Sequence, residues 1–178
     1  MKKMKILVAE DEPDIANQYK IELETRYHKV TIAQDGEECM RIYLDKLSAT
    51  DLGTPFDVVL LDYRMPKRDG IEVAKEILNE NPNQRIIFAS AYVKDTLIDS
   101  VKQLNRIVEI MEKPFPISVF AEIVEDEKIM LEMARLNAKF KRIRGREPTP
   151  EELSDFLRSL RKMQGLDAWY SVSDIKLG

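Results

Sequence analysis

Five short apolar runs recur along the first two thirds of the chain, and segments with a different spacing of apolar positions separate them. The runs are rich in Val and Ile, which is typical of strands buried on both faces of a sheet. They are KILVA (5–9), KVTIA (29–33), DVVLL (57–61), RIIFAS (85–90) and IVEIM (107–111). Their alternation with helical segments predicts an α/β fold, a doubly wound parallel sheet with right-handed crossovers.

The segments between the runs repeat their apolar residues every three or four positions, as amphipathic helices do. The sets that mark these four helices are Ile15, Tyr19 and Leu23; Cys39, Met40, Tyr43, Leu44 and Leu47; Val73, Ile77 and Leu78; and Leu97, Val101 and Leu104. A fifth helix is predicted to begin near Pro116, because proline suits a first helical turn. No stop signal follows before Gly145, so we expect one extended helix that continues beyond the sheet.

The part of this fifth helix beyond residue 125 carries a second apolar stripe. Its members are spaced like the a/d seam of a short coiled coil; they are Ile129, Met133, Leu136, Phe140 and Ile143. An ordinary amphipathic helix that covers its own domain would show the same stripe. Because the sheet already has a fifth helix, we favour a helix–helix contact, within one chain or between two.

A small helical appendage is predicted after this stripe. Thr149 and Glu152 have the spacing of a capping box, and Pro150 stands at the first helical position. The apolar face of this helix would consist of Leu153, Phe156, Leu157, Leu160 and Met163, with Gly165 as the C-cap.

The balance of charge changes near residue 125, before the apolar stripe that begins at Ile129. Residues 1–125 carry a net charge of −6, whereas residues 126–178 carry +2. Together with the change in apolar pattern, this shift indicates a boundary. We predict one domain of residues 1–125 and a helical extension of residues 126–178.

Composition excludes several classes of protein. Among the 178 residues no apolar run approaches the ~20 residues of a membrane span, so no membrane partner is expected. The N-terminal sequence MKKMKILVAE predicts a first strand and not a signal peptide. The single cysteine, Cys39, rules out a disulfide within the chain, so we expect a cytoplasmic protein.

Polar residues stand at the carboxyl ends of four predicted strands, where open parallel sheets bind their ligands. Glu10 and Asp11 follow the first strand, Asp62 the third, Ser90 ends the fourth and Lys113 follows the fifth. Each of these residues alone is more simply a cap, a solvated charge or a small residue near a turn. Because four separate strands deliver them to one edge, we expect a common site.

Three carboxylates at one edge repel each other unless a cation joins them. Mg²⁺ prefers oxygen ligands and accepts one or two carboxylates together with waters and a phosphate. With a cation held by Asp11 and Asp62, the free oxygen of Asp62 is a candidate nucleophile toward phosphorus. Lys113 supplies further positive charge for phosphoryl transfer, and Ser90 supplies a hydrogen bond.

Four motifs in this order resemble the receiver domain of two-component response regulators. They are ILVAEDEPDI, DVVLLDYRMPKRDG, IIFASAY and EKPF, and the resemblance covers residues 4 to about 125. It implies a flavodoxin-like (βα)5 sheet with the strand order 2-1-3-4-5. It also implies a chain that catalyses only its own phosphorylation and dephosphorylation, and is otherwise not an enzyme.

The resemblance assigns roles to the residues at the strand ends. Asp62 would accept a phosphoryl group from a histidine kinase or a histidine phosphotransfer protein. Glu10, Asp11, Asp62 and the backbone carbonyl of Arg64 would organise Mg²⁺ or Mn²⁺. These roles describe a phosphorylation-driven switch.

Two further residues would bind the phosphoryl group. They are Ser90 and Lys113, and the Lys113–Pro114 peptide bond would be cis, as in the family. The family's frequent aromatic residue three positions before the lysine is Ile110 here, and Tyr92 is the nearest replacement as a switch or gate. Glu10 stands where aspartate is more usual, which leaves its direct ligation of the cation open.

Other functions compete with the switch. Ile110 and the unusual fourth helix motivate an interaction or scaffold module that works without phosphorylation; the Gly-Ala pair that often precedes the last strand in the family is missing from VKQLNRIVEI. A hydrolase resembling the haloacid dehalogenases needs an acid two residues after the nucleophile, where this chain has Arg64. For the C-terminal helices we expect dimerisation or partner docking; DNA binding through the basic stretch AKFKRIRGR is the alternative.

Overall fold

The computed structural model describes residues 2–50, 53–91, 104, 106, 108–143, 146, 148–152, 154–156 and 158. Several predicted features fall outside these residues: Tyr92, most of the helix predicted from Leu97 to Leu104, and much of the apolar face and the C-cap predicted after Pro150.

The described residues contain five strands, and helices follow the first three strands and the fifth. The strands are β1 (Lys5–Ala9), β2 (Lys29–Ala33), β3 (Val58–Asp62), β4 (Ile86–Ser90) and β5 (Glu109–Glu112). The helices are α1 (Pro13–Thr25), α2 (Gly36–Ser48), α3 (Gly70–Glu80), α4 (Ile117–Glu125) and α5 (Glu127–Ile143). Residues 150–152, 154–156 and 158 are also helical.

The five strands form one parallel sheet with the order β2-β1-β3-β4-β5. This order confirms the predicted flavodoxin-like fold. The register pairs Ala9 with both Ala33 and Leu61, and Ser90 with Glu112, so the carboxyl ends of the strands lie at one edge. The strand ends that carry the predicted site residues therefore lie next to one another.

Alternate strand residues point into two hydrophobic clusters, one on each face of the sheet. Ile6 and Val8 of β1 face the cluster that includes residues of α1, α4 and α5. Leu7 and Ala9 face the cluster formed with α2 and α3. Both faces are covered, which explains why the strands are continuous apolar runs.

The second helix departs from its predicted apolar face at one position. Cys39, Met40 and Tyr43 are buried as expected, but Leu44 is 38% exposed. Burial raises the pKa of the Cys39 thiol to about 12, which is the behaviour of a packing residue.

The prediction of one extended fifth helix is wrong, because the helix breaks at Asp126. The backbone of Asp126 is extended, with φ of −72° and ψ of 102°. Its amide still donates to the carbonyl of Glu122, at 3.0 Å, and so ends α4. Its Oδ1 accepts the amides of Lys128 and Ile129, at 2.8 and 3.2 Å, and so begins α5. Aspartate competes with helical backbone through such local bonds.

The apolar stripe of α5 is buried against its own chain. Ile129, Met133, Leu136 and Ile143 are between 1% and 6% exposed and belong to the same cluster as β1, α1 and α4. This is the arrangement that we did not favour from the sequence, a helix that covers its own domain. Phe140 is half-buried and adds a helix–helix contact within the chain, with its ring 6.1 Å from the ring of Phe156.

The predicted capping box after α5 is confirmed. The amide of Glu152 donates to Oγ1 of Thr149 at 3.2 Å, and the amide of Thr149 donates to Oε2 of Glu152 at 3.0 Å. Arg146 donates to both carboxylate oxygens of Glu152. Arg146 first and the Thr149 amide second lower the pKa of Glu152 to about 2.

Among the helices in the described part of the chain, none is both long enough and apolar enough to cross a membrane.

Candidate functional site

Three carboxylates meet at the carboxyl edge of the sheet. Glu10 and Asp11 directly follow β1, and Asp62 ends the neighbouring strand β3. One oxygen of each carboxylate lies within 4.8 Å of the others. Oxygen donors at this spacing match the ligands that hard divalent cations prefer, so the residues fit a Mg²⁺ or Mn²⁺ site.

Lys113, which directly follows the outer strand β5, also joins this cluster. Its Nζ donates to Oε2 of Glu10 at 2.7 Å and to Oδ2 of Asp62 at 3.1 Å. The cis Lys113–Pro114 bond confirms the expected turn. The Lys113 amide donates to the carbonyl of Ser90 at 2.8 Å, which ties the turn to the end of β4. The structure thus brings together the predicted acids and their predicted counter-charge.

The charges of this edge are not balanced. In the described part of the chain, the Lys113 ammonium contacts two of the three carboxylates, so the cluster can accept additional positive charge. Burial raises the pKa of Glu10, which is 1% exposed, although Lys113 opposes the shift. Burial also lowers the pKa of Lys113, but its bonds and charge interactions with Glu10 and Asp62 outweigh burial, and the net shift is upward. Lys113 therefore stays charged at neutral pH.

The loop after Asp62 is shaped by close backbone contacts. A Cβ on Gly70 would lie 2.3 Å from the Asp62 carbonyl oxygen, and one on Gly36 would lie 2.3 Å from the Arg68 carbonyl oxygen. The loop between β3 and α3 therefore fits only against glycine at these two positions. The Arg64 amide lies 3.4 Å from Oδ1 of Asp62, a long contact that places Arg64 beside the carboxylate.

Sequence reasoning did not identify the two glycines as site residues. Each follows an aspartate that caps a helix: Asp35 accepts from the Glu38 amide, and Asp69 forms a capping box with Glu72. The two Asp-Gly pairs are the available signal, because they mark a tight entry into a helix.

The other predicted site residues lie in different places. Ser90 ends β4 and is 1% exposed. Ile110 is 2% exposed and packs in the cluster with α2 and α3; its partner in the neighbouring strand β4 is Phe88. Tyr92 lies outside the described residues.

His28 is buried at the opposite edge of the sheet. Its Nδ1 accepts the Met4 amide at 3.3 Å, so its Nε2 carries the proton and donates to Oε1 of Glu125 at 2.9 Å. Arg26 also contacts Glu125, at 3.1 Å. This network ties the start of β2 to the end of α4.

Comparisons with known proteins agree with this geometry. The family model described as the response regulator receiver domain matches residues 6–125. The transcriptional regulatory protein DltR of Streptococcus agalactiae is 33% identical over 102 residues, 57% of this chain and 41% of DltR. The probable C4-dicarboxylate response regulator DctR of Bacillus subtilis is 31% identical over 130 residues, 71% of this chain and 53% of DctR.

A solved structure shows the same fold. The response regulator TrrA of Thermotoga maritima, in complex with Mg²⁺ and BeF, is 31% identical with a TM-score of 0.55. The match covers 70% of this chain and 97% of TrrA. The chain spans about half or less of the length of the curated relatives named above. It belongs to the family of response regulator receiver domains of two-component signalling systems.

Proposed function

We propose that Asp62 accepts a phosphoryl group from the phosphohistidine of a histidine kinase or a histidine phosphotransfer protein. The observation that carries this proposal is the position of Asp62. Its carboxylate lies within 4.8 Å of ligand oxygens of Glu10 and Asp11, and its Oδ2 is 3.1 Å from the Lys113 ammonium. Few arrangements place a nucleophile, a cation site and a fixed positive charge together by chance.

The reaction is a transfer between two covalent phosphates. An oxygen of the Asp62 carboxylate forms a bond to phosphorus while the phosphorus–nitrogen bond of the donor breaks. The donor imidazole leaves with the electron pair, and Asp62 becomes an acyl phosphate. Phosphoryl transfer depends chiefly on positioning and on neutralising the charge of the three equatorial oxygens.

Glu10, Asp11, Asp62 and the backbone carbonyl of Arg64 would hold Mg²⁺ or Mn²⁺ in this proposal. The cation supplies charge neutralisation for the phosphoryl oxygens when bound. TrrA, which is similar to this chain, was solved with Mg²⁺ and BeF. The excess of carboxylates over ammonium at this edge supports the assignment.

Lys113 and Ser90 would recognise the phosphoryl group. Lys113 already contacts Asp62, and an added phosphoryl group would offer it a stronger partner than Glu10. The Ser90 hydroxyl would donate a hydrogen bond. We further propose that this site modifies only itself, by gaining and losing its phosphoryl group, and that the exchange takes place in the cytoplasm.

Two alternative partners of the C-terminal helices, a second copy of the chain and nucleic acid, would each have to disrupt contacts that the structure shows. A homodimer through the stripe of α5 would have to remove Met133 and Leu136 from the core of their own chain. Nucleic-acid binding would use a basic stretch in which Lys139 pairs with Asp155 and Arg146 with Glu152. We therefore propose the kinase or phosphotransfer protein as the main partner, with these two as alternatives.

A phosphorylation-independent scaffold is the second candidate function, and Ile110 favours it. This residue stands where family members often have an aromatic switch, and it is buried. The scaffold predicts the same oligomeric state and partners with and without a phosphoryl analogue.

Labelling by a small phosphodonor tests the main proposal. We expect acetyl phosphate to label the full chain in the presence of Mg²⁺ and chelation to abolish the label. Asp62→Asn should remove it, whereas Asp45→Asn, a change of an exposed carboxylate on α2, should not. Undiminished labelling of Asp62→Asn would reject Asp62 as the acceptor.

A further inference from the structure

Two tyrosines are buried in the structure, and they differ in the hydrogen bonding of their hydroxyl groups. Tyr19 of α1 is 2% exposed and Tyr43 of α2 is fully buried. The Tyr43 hydroxyl donates to Oε1 of Gln84 at 3.0 Å. The Tyr19 hydroxyl has no hydrogen-bond partner among the residues that the structure describes. Because buried hydroxyls are almost always paired, the Tyr19 hydroxyl calls for an explanation.

Tyr19 lies beneath the turn that carries Lys113. Its ring packs 6.2 Å from the ring of Phe115, two residues beyond Lys113, and edge-on against Phe120 at 5.5 Å. Helical side chains lean toward the N-terminus of their helix. Helix α1 begins at Pro13, directly after the acids that follow β1. The Tyr19 side chain therefore leans toward the carboxyl edge.

The electrostatics of Tyr19 agree with this direction. Burial raises the pKa of its phenol, and the negative charges of Glu10 and Asp62 raise it further. The phenol thus stays protonated and keeps a proton to donate. Both charged groups that act on it are carboxylates of the acidic edge.

The Glu10 carboxylate can accept more hydrogen bonds than it receives from the residues that the structure describes. Its Oε2 accepts from Lys113 at 2.7 Å, and the contact of its Oε1 with the Glu12 amide is long, at 3.5 Å. An ionised carboxylate accepts up to about four hydrogen bonds. At 1% exposure, Glu10 obtains few of them from solvent.

We propose that Tyr19 is a positioning residue for Glu10 in the phosphorylated state. When Lys113 turns from Glu10 to the phosphoryl group, the Tyr19 hydroxyl donates to the Glu10 carboxylate, directly or through one water. It replaces the donor that Glu10 loses and holds this long side chain toward the cation site. The inference rests on the proposed function of Asp62 and Lys113.

The test compares Tyr19→Phe with Tyr43→Phe in the full chain, using Mg²⁺ with beryllium fluoride as the phosphoryl analogue. We expect Tyr19→Phe to weaken binding of the analogue about tenfold, because a hydrogen bond to a charged group is lost. Binding of Mg²⁺ alone, in which Lys113 stays on Glu10, should change less than about twofold. Tyr43→Phe should bind the analogue as the unaltered chain does.

A spectroscopic measurement and a stability measurement accompany the affinities. In protein with ¹³Cζ-labelled tyrosine, the Tyr19 signal should shift when the analogue binds, and the Tyr43 signal should not. In urea without ligands, Tyr19→Phe should be at least as stable as the unaltered chain, since it removes an unpaired hydroxyl. Tyr43→Phe should be less stable, since it breaks the bond to Gln84.

The outcomes separate this inference from the proposed function. If the unaltered chain and Tyr43→Phe bind the analogue and Tyr19→Phe binds it equally well, the role of Tyr19 is rejected and that of Asp62 stands. A Tyr19 signal that does not move on binding also rejects it. If the unaltered chain binds no analogue, both proposals fail.

Discussion

A buried glutamate pairs with a cationic side chain at each end of the strands, the amino edge and the carboxyl edge of the sheet. The two pairs differ in the other groups that the cation contacts. At the amino edge, Arg85 donates two bonds of 2.8 Å to Glu109. Two further bonds from its guanidinium reach the carbonyls of Ile123 and Val124 at 3.0 Å, at the end of α4. At the carboxyl edge, the ammonium of Lys113 contacts two carboxylates and a third lies beside them.

The difference separates a structural pair from a reactive cluster. The planar guanidinium of Arg85 binds both oxygens of the Glu109 carboxylate, and the two opposite charges of this pair cancel. Met130 and Met133 of α5 line a cavity of about 100 Å³ beside Arg85 and Glu109, so α5 lies next to this pair. The carboxyl edge keeps an excess of negative charge, which is the condition for attracting a cation and a phosphoryl group.

The largest expected effect is at the amino edge. Glu109→Ala should lower the free energy of unfolding by about 3–5 kcal/mol, because it leaves a buried guanidinium without its anion. Glu10→Gln in metal-free protein should change it much less, since burial already disfavours the charge of Glu10. Urea unfolding measures both. If both variants lost the same free energy of unfolding, the distinction between a structural pair at the amino edge and a reactive cluster at the carboxyl edge would be wrong.

Gly70→Ala should damage the carboxyl edge specifically. The added Cβ would lie 2.3 Å from the Asp62 carbonyl oxygen and displace the acceptor. We expect phosphorylation to slow by about a hundredfold, the typical result of a displacement of about 1 Å. Gly53→Ala is the matched control: its φ of 106° is strained for alanine, but no atom lies within 4 Å. It should lower stability by about 1 kcal/mol and leave the rate unchanged.

Asp126→Ala should affect only the amino edge. Losing the cap of α5 should lower the free energy of unfolding by about 1 kcal/mol, measured in urea. Asp45→Ala, an exposed change on α2, should stay within about 0.5 kcal/mol. A slower phosphorylation of Asp126→Ala would show instead that the docking of α5 is coupled to the acidic edge.

The smallest expected effect is a shift in the titration of Glu10 in metal-free protein. Burial raises its pKa above the ordinary 4.5, Lys113 lowers it and Asp62 raises it. Lys113→Gln should therefore move the midpoint to higher pH, and Asp62→Asn to lower pH, as followed by the ¹³C signal of the carboxyl. Shifts in the same direction for both variants would contradict the arrangement of charges.

The sign of the linked change in stability follows from the raised pKa. The protonated form of Glu10 is favoured in the folded state over the unfolded state. Its contribution to stability is therefore present at low pH and is lost as the pH rises through the folded-state pKa.

The strands and their acidic ends were predictable because a strand buried on both faces must be apolar throughout. A charge such as Asp62 at the end of such a run is therefore visible in the sequence. The break at Asp126 was not predictable in the same way. It lies within the charged stretch EDEK between two apolar stripes, and both one helix and two helices satisfy that pattern.

The sequence by itself determined the parallel α/β architecture, the carboxylates and lysine at the strand ends, and the capping box at Thr149, since periodicity and local bonds specify them. Only the tertiary structure decided which distant groups meet. It paired Arg85 with Glu109, buried the stripe of α5 in the same cluster as β1, and put the buried phenol of Tyr19 within the electrostatic influence of Glu10. These contacts depend on how strands and helices stack in space, and spacing along the chain does not encode that.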